Sequence, residues 1–222
     1  THTANNVLVG NGTSAIASVA PSTSGNVLTS NGSAWTSAGA AGGGAWTYIS
    51  SATASGSSSI DFIDLDTSTY KQFMVHFYDW QVSATAYPSI VIREAGSSTW
   101  ITTTTYHGRT VGGNVTTTDD TVLARRSSSA VRFQLTHYPH KASTTQHIYG
   151  NAYFSDLGTI SARPGIFGTV VYHSNTGDNT AKDTFGGVNA TEDSDGYDGI
   201  RFEQNTGTIT TGTFDLYGLI KS

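Results

Sequence analysis

The chain has 222 residues, of which 12% are charged, with 11 Lys and Arg against 16 Asp and Glu for a net charge of −5. About a quarter of an ordinary soluble domain is charged; here Thr, Ser, Gly and Asn fill the difference. The acidic balance excludes the basic footprint of a nucleic-acid binder. The absence of cysteine excludes a disulfide framework and a Cys-based metal site. No run approaches the ~18 apolar residues of a membrane-spanning helix, so neither nucleic acid nor membrane insertion is expected.

Residues 1–44 hold no Asp, Glu, Lys or Arg, and the first such residue is Asp61. Within this tract "NNVLVGNGTSAIAS" (5–18) and "GNVLTSNGSAWTS" (25–37) share Asn-Val-Leu and Asn-Gly at an offset of 20 residues. Each copy has the grammar of a β-hairpin. Val-Leu opens a strand, Asn-Gly supplies the turn, and a second strand carries Ile16 or Trp35. An isolated two-stranded hairpin is marginal in water. The few large apolar residues of the tract cannot offset roughly 1–2 kcal/mol of backbone entropy per ordered residue. Val7, Leu8, Ile16, Val27, Leu28 and Trp35 are therefore expected to be buried by copies of the same chain. "GAAGGGAW" (39–46) divides the sequence into a fibrous oligomerisation segment, 1–44, and a globular head, 45–222. The chain opens on Thr1, so further residues are expected upstream.

The head reads as β throughout. Runs rich in β-branched and aromatic residues fall at 46–51, 59–65, 71–82, 87–94, 99–107, 121–125, 130–138, 146–154, 165–173, 199–204 and 213–220. Val131, Phe133 and Leu135 alternate, as do Phe214 and Leu216. Gly112-Gly113-Asn114, Asn175-Thr176-Gly177-Asp178 and Asn205-Thr206-Gly207 read as turns. No window keeps a helical apolar period. Short strands separated by turns predict an all-β antiparallel sandwich, with a jelly roll as the first topology to expect.

The head carries no Gly-x-Ser-x-Gly, P-loop or Gly-x-Gly-x-x-Gly motif. "HYPH" sets His137 and His140 around a proline, with His147 following; a metal pair and a turn between strands both explain that spacing. "ATEDSDGYDGI" (190–200) gathers acids and turn glycines. Asp193, Asp195 and Asp198 offer the oxygen ligands that Ca²⁺ requires, and a solvated acidic turn accounts for the same letters. No other cofactor is expected. A glycosidase needs two carboxylates roughly 5–10 Å apart. Asp61, Asp64, Asp66, Asp79, Glu94, Asp156, Asp183 and Glu203 are candidates, but nothing in the sequence pairs Asp61 or Asp64 with a partner, so no enzyme is expected. Binding remains. Asp193, Asp195, Tyr197 and Asp198 combine oxygen ligands, glycines and an aromatic in one loop. Trp100, Tyr106 and His107 form the rival set, in which ring faces would stack on sugar.

"VLTSNGSAWTS", repeated and followed by a Gly-rich run, resembles the short repeats of bacteriophage tail fibres and related virion appendages. "GTFDLYGLIKS" (212–222) and "SSIDFIDLDTSTYKQFMVHFYDW" (58–80) resemble strands of the globular domain such fibres carry. The resemblance implies a homotrimer with a slender N-terminal shaft and a C-terminal head that touches the host. It further implies an external position on the virion, other virion proteins on the N-terminal side, and a host cell-surface polysaccharide as receptor. Three functions stay open: a host-recognition fibre, a structural appendage without a ligand, and a fibre-borne polysaccharide hydrolase.

Overall fold

A computed structural model describes residues 3–39, 46–102, 106–115, 120–160, 162–175, 180–189 and 195–220; for 113–115, 120–130 and 189 it describes the backbone alone. The chain falls into two compact units, Thr1–Ala45 and Trp46–Ser222. All regular structure among the described residues is β, and every strand pair is antiparallel.

The N-terminal unit holds two hairpins. β1 (Val7–Val9) pairs with β2 (Ala17–Val19), and β3 (Asn26–Ser30) pairs with β4 (Trp35–Gly39). The Asn-Gly signal makes the turn as its chemistry requires. The Asn31 side-chain oxygen accepts the Ser33 and Ala34 N–H groups at 2.9 and 2.8 Å, and Gly32 sits at φ 89°. The repeat extends to a cross-strand bond. Asn6 Nδ2 donates to Ser18 Oγ at 3.3 Å in the first copy, and Asn26 Nδ2 to Ser37 Oγ at 3.0 Å in the second. Trp35 opens the returning strand as expected, whereas Ile16 lies just before β2. No described residue of this unit is buried.

The head contains β5 (Thr47–Ser57), β6 (Ser59–Phe62), β7 (Tyr70–Val82), β8 (Pro88–Glu94), β9 (Tyr106–Val115), β10 (Asp120–Ala130), β11 (Phe133–Gln134), β12 (Ile148–Ser155), β13 (Gly165–His173), β14 (Thr180–Asn189), β15 (Tyr197–Gln204) and β16 (Ile209–Ile220). An eight-stranded sheet runs β10-β9-β14-β13-β12-β7-β16-β5, and a four-stranded sheet runs β11-β8-β15-β6. Period-two alternation turns Phe73, Val75 and Phe77 of β7 and Phe214 and Leu216 of β16 inward, where they meet Ile200 and Phe202 of β15. Phe202 lies 5.7 Å from Phe77, 6.1 Å from Trp80 and 5.3 Å from Phe214, centroid to centroid. Rings at these separations and inclinations gain beyond their area burial. The two sheets thus share one aromatic core, the packing of a β-sandwich.

Three stretches differ from the sequence expectation, one of them the 130–138 run, where β10 ends at Ala130 and β11 holds only Phe133 and Gln134. The 99–107 run is not one strand: β9 begins at Tyr106, and the Gly112-Gly113-Asn114 turn signal lies inside it. β14 was not expected, because "TAKDTFGGVN" is polar and Gly-rich. Its inward positions are Ala181, Asp183 and Phe185, all buried. Gly112 leaves room for the buried carboxylate, since a Cβ there would stand 1.5 Å from Asp183 Oδ1. Asp183 is kept polar-satisfied by the His137 N–H, which donates to Oδ2 at 2.5 Å. Val131 breaks its predicted alternation and is exposed beside buried Phe133 and Leu135.

Candidate binding surface

β15 lies between β6 and β8, with Arg201 opposite Asp61 on one side and Val91 on the other. Alternation that sends Ile200 and Phe202 into the core sends Arg201 outward. There its guanidinium grips Asp61 with two bonds, Nε to Oδ1 at 2.8 Å and Nη2 to Oδ2 at 2.6 Å. This is the bidentate fork that fixes a carboxylate in plane. The same guanidinium carbon stands 4.2 Å from the centroid of the Trp100 ring, a cation–π contact. The Asp61 carboxylate pushes the Arg201 pKa further up.

Arg93 builds a second pair of bonds alongside. Its Nη2 donates to Asp64 Oδ1 at 2.6 Å and its Nε to Asp198 Oδ1 at 2.9 Å. Asp64 above all, then Asp198, raise the Arg93 pKa against the opposing effect of burial. Asp64 takes up this position from the left-handed region, at φ 56°, where Asp is among the few non-glycine residues tolerated. Asp198 Oδ2 accepts the Gly96 N–H at 3.1 Å. Gly199 has no room for a side chain: a Cβ would stand 2.8 Å from Arg93 Cβ and 3.3 Å from Trp100 Cη2. Farther along the same face Arg132 pairs with Glu203.

Beside these pairs a cleft of about 370 Å³ opens between β5 and β6. Its floor is Phe62, Leu65, Phe73 and Leu216, Ile49, Ile63 and Tyr70 stand over them, and Asp61, Asp64 and Asp66 ring it. Asp66 is held down to about 2 by the Ser68 and Thr69 groups that donate to it, which is turn-capping chemistry. An apolar floor with a few oriented polar groups is the usual composition of a small-ligand site.

The structure brings part of the two rival sets together, the 195–199 segment and Trp100. Ala95 N–H donates to Gly196 C=O at 3.0 Å, so the 195–199 segment and the segment leading to Trp100 are neighbours. Several roles change. Tyr197 is fully buried and Tyr106 is 1% exposed, so neither is a stacking platform. Tyr106 is instead a brace beneath the site: its hydroxyl accepts the Ile92 N–H at 2.9 Å and donates to Ile101 C=O at 3.0 Å. Burial keeps that hydroxyl well above the usual tyrosine range. Asp198 places its oxygens on the Arg93 guanidinium and the Gly96 N–H. Asp195 is exposed, and Asp193 lies outside the described residues. His107 is exposed on β9 opposite Val188 and stands apart from this group. Trp100 remains, half-buried. Sequence reasoning missed Arg93 and Arg201; their only local signal is a cation at an outward position of an apolar strand. Among the described residues no group of three or more His, Cys, Asp or Glu is arranged to hold a metal. Comparison of the chain with protein families, characterised proteins and solved structures gives no match.

Proposed function

We propose that this protein is a homotrimeric fibre component of a bacteriophage virion, exposed on the particle, whose head recognises a host-surface glycan. One observation carries the assembly. Val7, Leu8, Ile16, Val27, Leu28 and Trp35 are 40–58% exposed in the single chain, and hairpins of this size need an apolar partner. Like chains of a parallel trimer supply that partner, and the repeat lets each copy of the motif meet its equivalents. A jelly-roll head is supported by the strand order: β5-β16-β7-β12 faces β6-β15-β8-β11, with β9–β10 and β13–β14 as insertions that widen the first sheet.

The receptor role rests on the cleft and its neighbours. A sugar ring has an apolar face and a rim of hydroxyls. The cleft offers a floor of Phe62, Leu65 and Phe73, and Asp61 and Asp64, held by Arg201 and Arg93, stand at its edge to bond hydroxyls. Hydrolysis in this cleft is disfavoured, because Asp61 and Asp64 are each committed to an arginine and Asp66 to its turn, which leaves none of the cleft's three described carboxyls poised to donate a proton. The same self-satisfied pairing favours the second reading, a structural appendage without a ligand.

Adsorption of the purified protein to host bacteria and their surface polysaccharide separates the two. Recognition predicts saturable binding that Asp61→Ala and Ile63→Ala weaken at least tenfold without changing the melting of the head. No binding by the parent protein would leave only the structural appendage.

A further inference from the structure

The cleft between β5 and β6 is charged on one side only. Asp61, Asp64 and Asp66 are the only charged side chains among the described residues that line it. Two of these carboxylates are answered from behind. Arg201 takes both oxygens of Asp61, and Arg93 takes Oδ1 of Asp64. The donors to Asp66 are neutral instead: the Ser68 N–H at 3.1 Å, the Ser68 hydroxyl at 2.5 Å and the Thr69 N–H at 3.0 Å, all on Oδ1. Neutral donors hold a carboxylate in its charged form without cancelling the charge. Asp66 therefore stays ionised at any pH well above about 2.

The remaining walls are apolar. Phe62, Leu65 and Phe73 lie at the bottom, and Ile49 and Ile63 stand exposed above them. A ligand that fits combines an apolar face with an edge of positive charge and hydrogen-bond donors. The Asp64 side chain is 77% exposed, so its second oxygen is open to that edge. An acidic sugar would set its carboxylate against three others beside a wall of low dielectric, where like charges repel strongly. A neutral sugar would suit the floor but cover the Asp66 charge without answering it.

We infer that the cleft selects an amino sugar, a hexosamine whose free ammonium meets Asp66 and Asp64 while its ring lies on the apolar floor. The inference rests on the glycan-binding reading above. Asp61, fixed by Arg201, orients hydroxyls, and Asp66 sets the charge preference. N-acetylation of the sugar removes the ammonium and leaves the ring, so it isolates the contribution of charge. The titratable groups at the cleft are Asp61, Asp64, Asp66 and Tyr70, with Arg93 and Arg201 behind the first two. The amine of such a sugar has oxygens on neighbouring carbons and titrates in the α-amino range, about 8. Affinity therefore falls as pH rises through that value, because the ligand loses its proton while Asp66 keeps its charge.

The test is isothermal titration calorimetry of the full chain with a glucosamine tetramer, its N-acetylated form, a galacturonate tetramer and tetralysine. At about pH 6.5 the glucosamine tetramer should bind at least tenfold more tightly than the other three, and its advantage over the N-acetylated form should vanish at about pH 9.5. Asp66→Asn keeps the Oδ1 acceptor that the turn needs and removes the charge. It should erase the same advantage with the melting of the head unchanged. Ser50→Arg sets a cation on the β5 wall, away from that turn, and should do likewise. N-acetylated or galacturonate binding as tight as glucosamine binding, or an advantage that survives both variants, would overturn the ammonium preference and leave the glycan site standing. Tetralysine binding as tightly as the glucosamine tetramer would overturn it too, as an attraction of bulk charge. If no probe binds, the preference falls. Adsorption to host bacteria that Ile63→Ala weakens would then keep the glycan site, and no adsorption would remove both.

Discussion

The N-terminal unit and the head are built from the same material, antiparallel hairpins rich in Thr, Ser and Asn, yet one has a core and the other has none. In the head, Phe77, Trp80, Phe202 and Phe214 are fully buried because a second sheet lies over the first. In the N-terminal unit the hairpins have one layer, and Trp35 is 51% exposed. Pairing and turn chemistry are equally good in both. What differs is the opposite wall. Backbone bonds give a net of only about 1 kcal/mol each, whereas a fully buried large apolar side chain contributes about 1.5–3 kcal/mol. In the proposed trimer, neighbouring chains supply that wall for the first unit.

The largest expected effect lies in the head. Phe202→Ala should destabilise it by about 3–5 kcal/mol, since the ring touches Phe77, Trp80, Phe154 and Phe214. Calorimetry should show the head melting many degrees lower. Trp35→Ala should leave that transition where it is; a fall in head melting from Trp35→Ala would break the comparison.

Acid should distinguish the units next. His140 is fully buried and is held down to about 4, chiefly by burial and then by His173. Its Nδ1 accepts the His173 N–H at 3.3 Å, a bond that protonation removes. Because the folded value lies below the ordinary 6.5, this contribution is full above pH 6.5 and is lost as pH falls towards 4. At 1.36 kcal/mol per unit the loss is about 3 kcal/mol. Asp183, raised by burial, works in the opposite direction and offsets part of it. Residues 1–45 contain no Asp, Glu, Lys, Arg or Tyr and one His, His2 at the chain's start. Denaturant titrations from pH 7 to pH 4 should thus weaken the head and leave the N-terminal unit unaffected, and His140→Gln should flatten the slope.

Smaller effects follow from steric fit and surface charge. Gly112→Ala forces the Asp183 carboxylate and the Lys182 carbonyl aside and should cost about 1–3 kcal/mol. Arg201→Ala removes a partly exposed pair and should change head stability by no more than ~1 kcal/mol. A larger loss in chemical denaturation would show that the Arg201–Asp61–Trp100 group holds the fold together.

These strands were unevenly legible in the sequence. β7, β8 and β16 announce themselves, because long alternating or continuous apolar runs have no other use. β9 and β14 do not. The Gly112-Gly113 pair of β9 reads as a turn and β14 is polar and Gly-rich, yet these glycines sit in mid-strand where a neighbour's ring or carboxylate needs the space. Gly108 of β9 and Gly187 of β14 both lie under the Phe133 ring. A one-dimensional pattern records the glycine and not the side chain above it. The site was less legible still. Arg93 meets Asp198 across 105 residues and Arg201 meets Asp61 across 140. Such pairs leave no local spacing to read, and only the register of β15 between β6 and β8 brings them together. The aromatic letters were visible, but burial decided their roles: Tyr106 and Tyr197 went inside, and Trp100 stayed half out.

The central claim is that the N-terminal hairpins are completed by copies of themselves. The direct test is the solution mass of the parent chain, measured by light scattering at micromolar concentration. The account predicts three chains per particle, falling to one when Leu28→Asp and Trp35→Asp place charge on the second hairpin. A parent protein that runs as a single chain, with its hairpins still ordered, would contradict it.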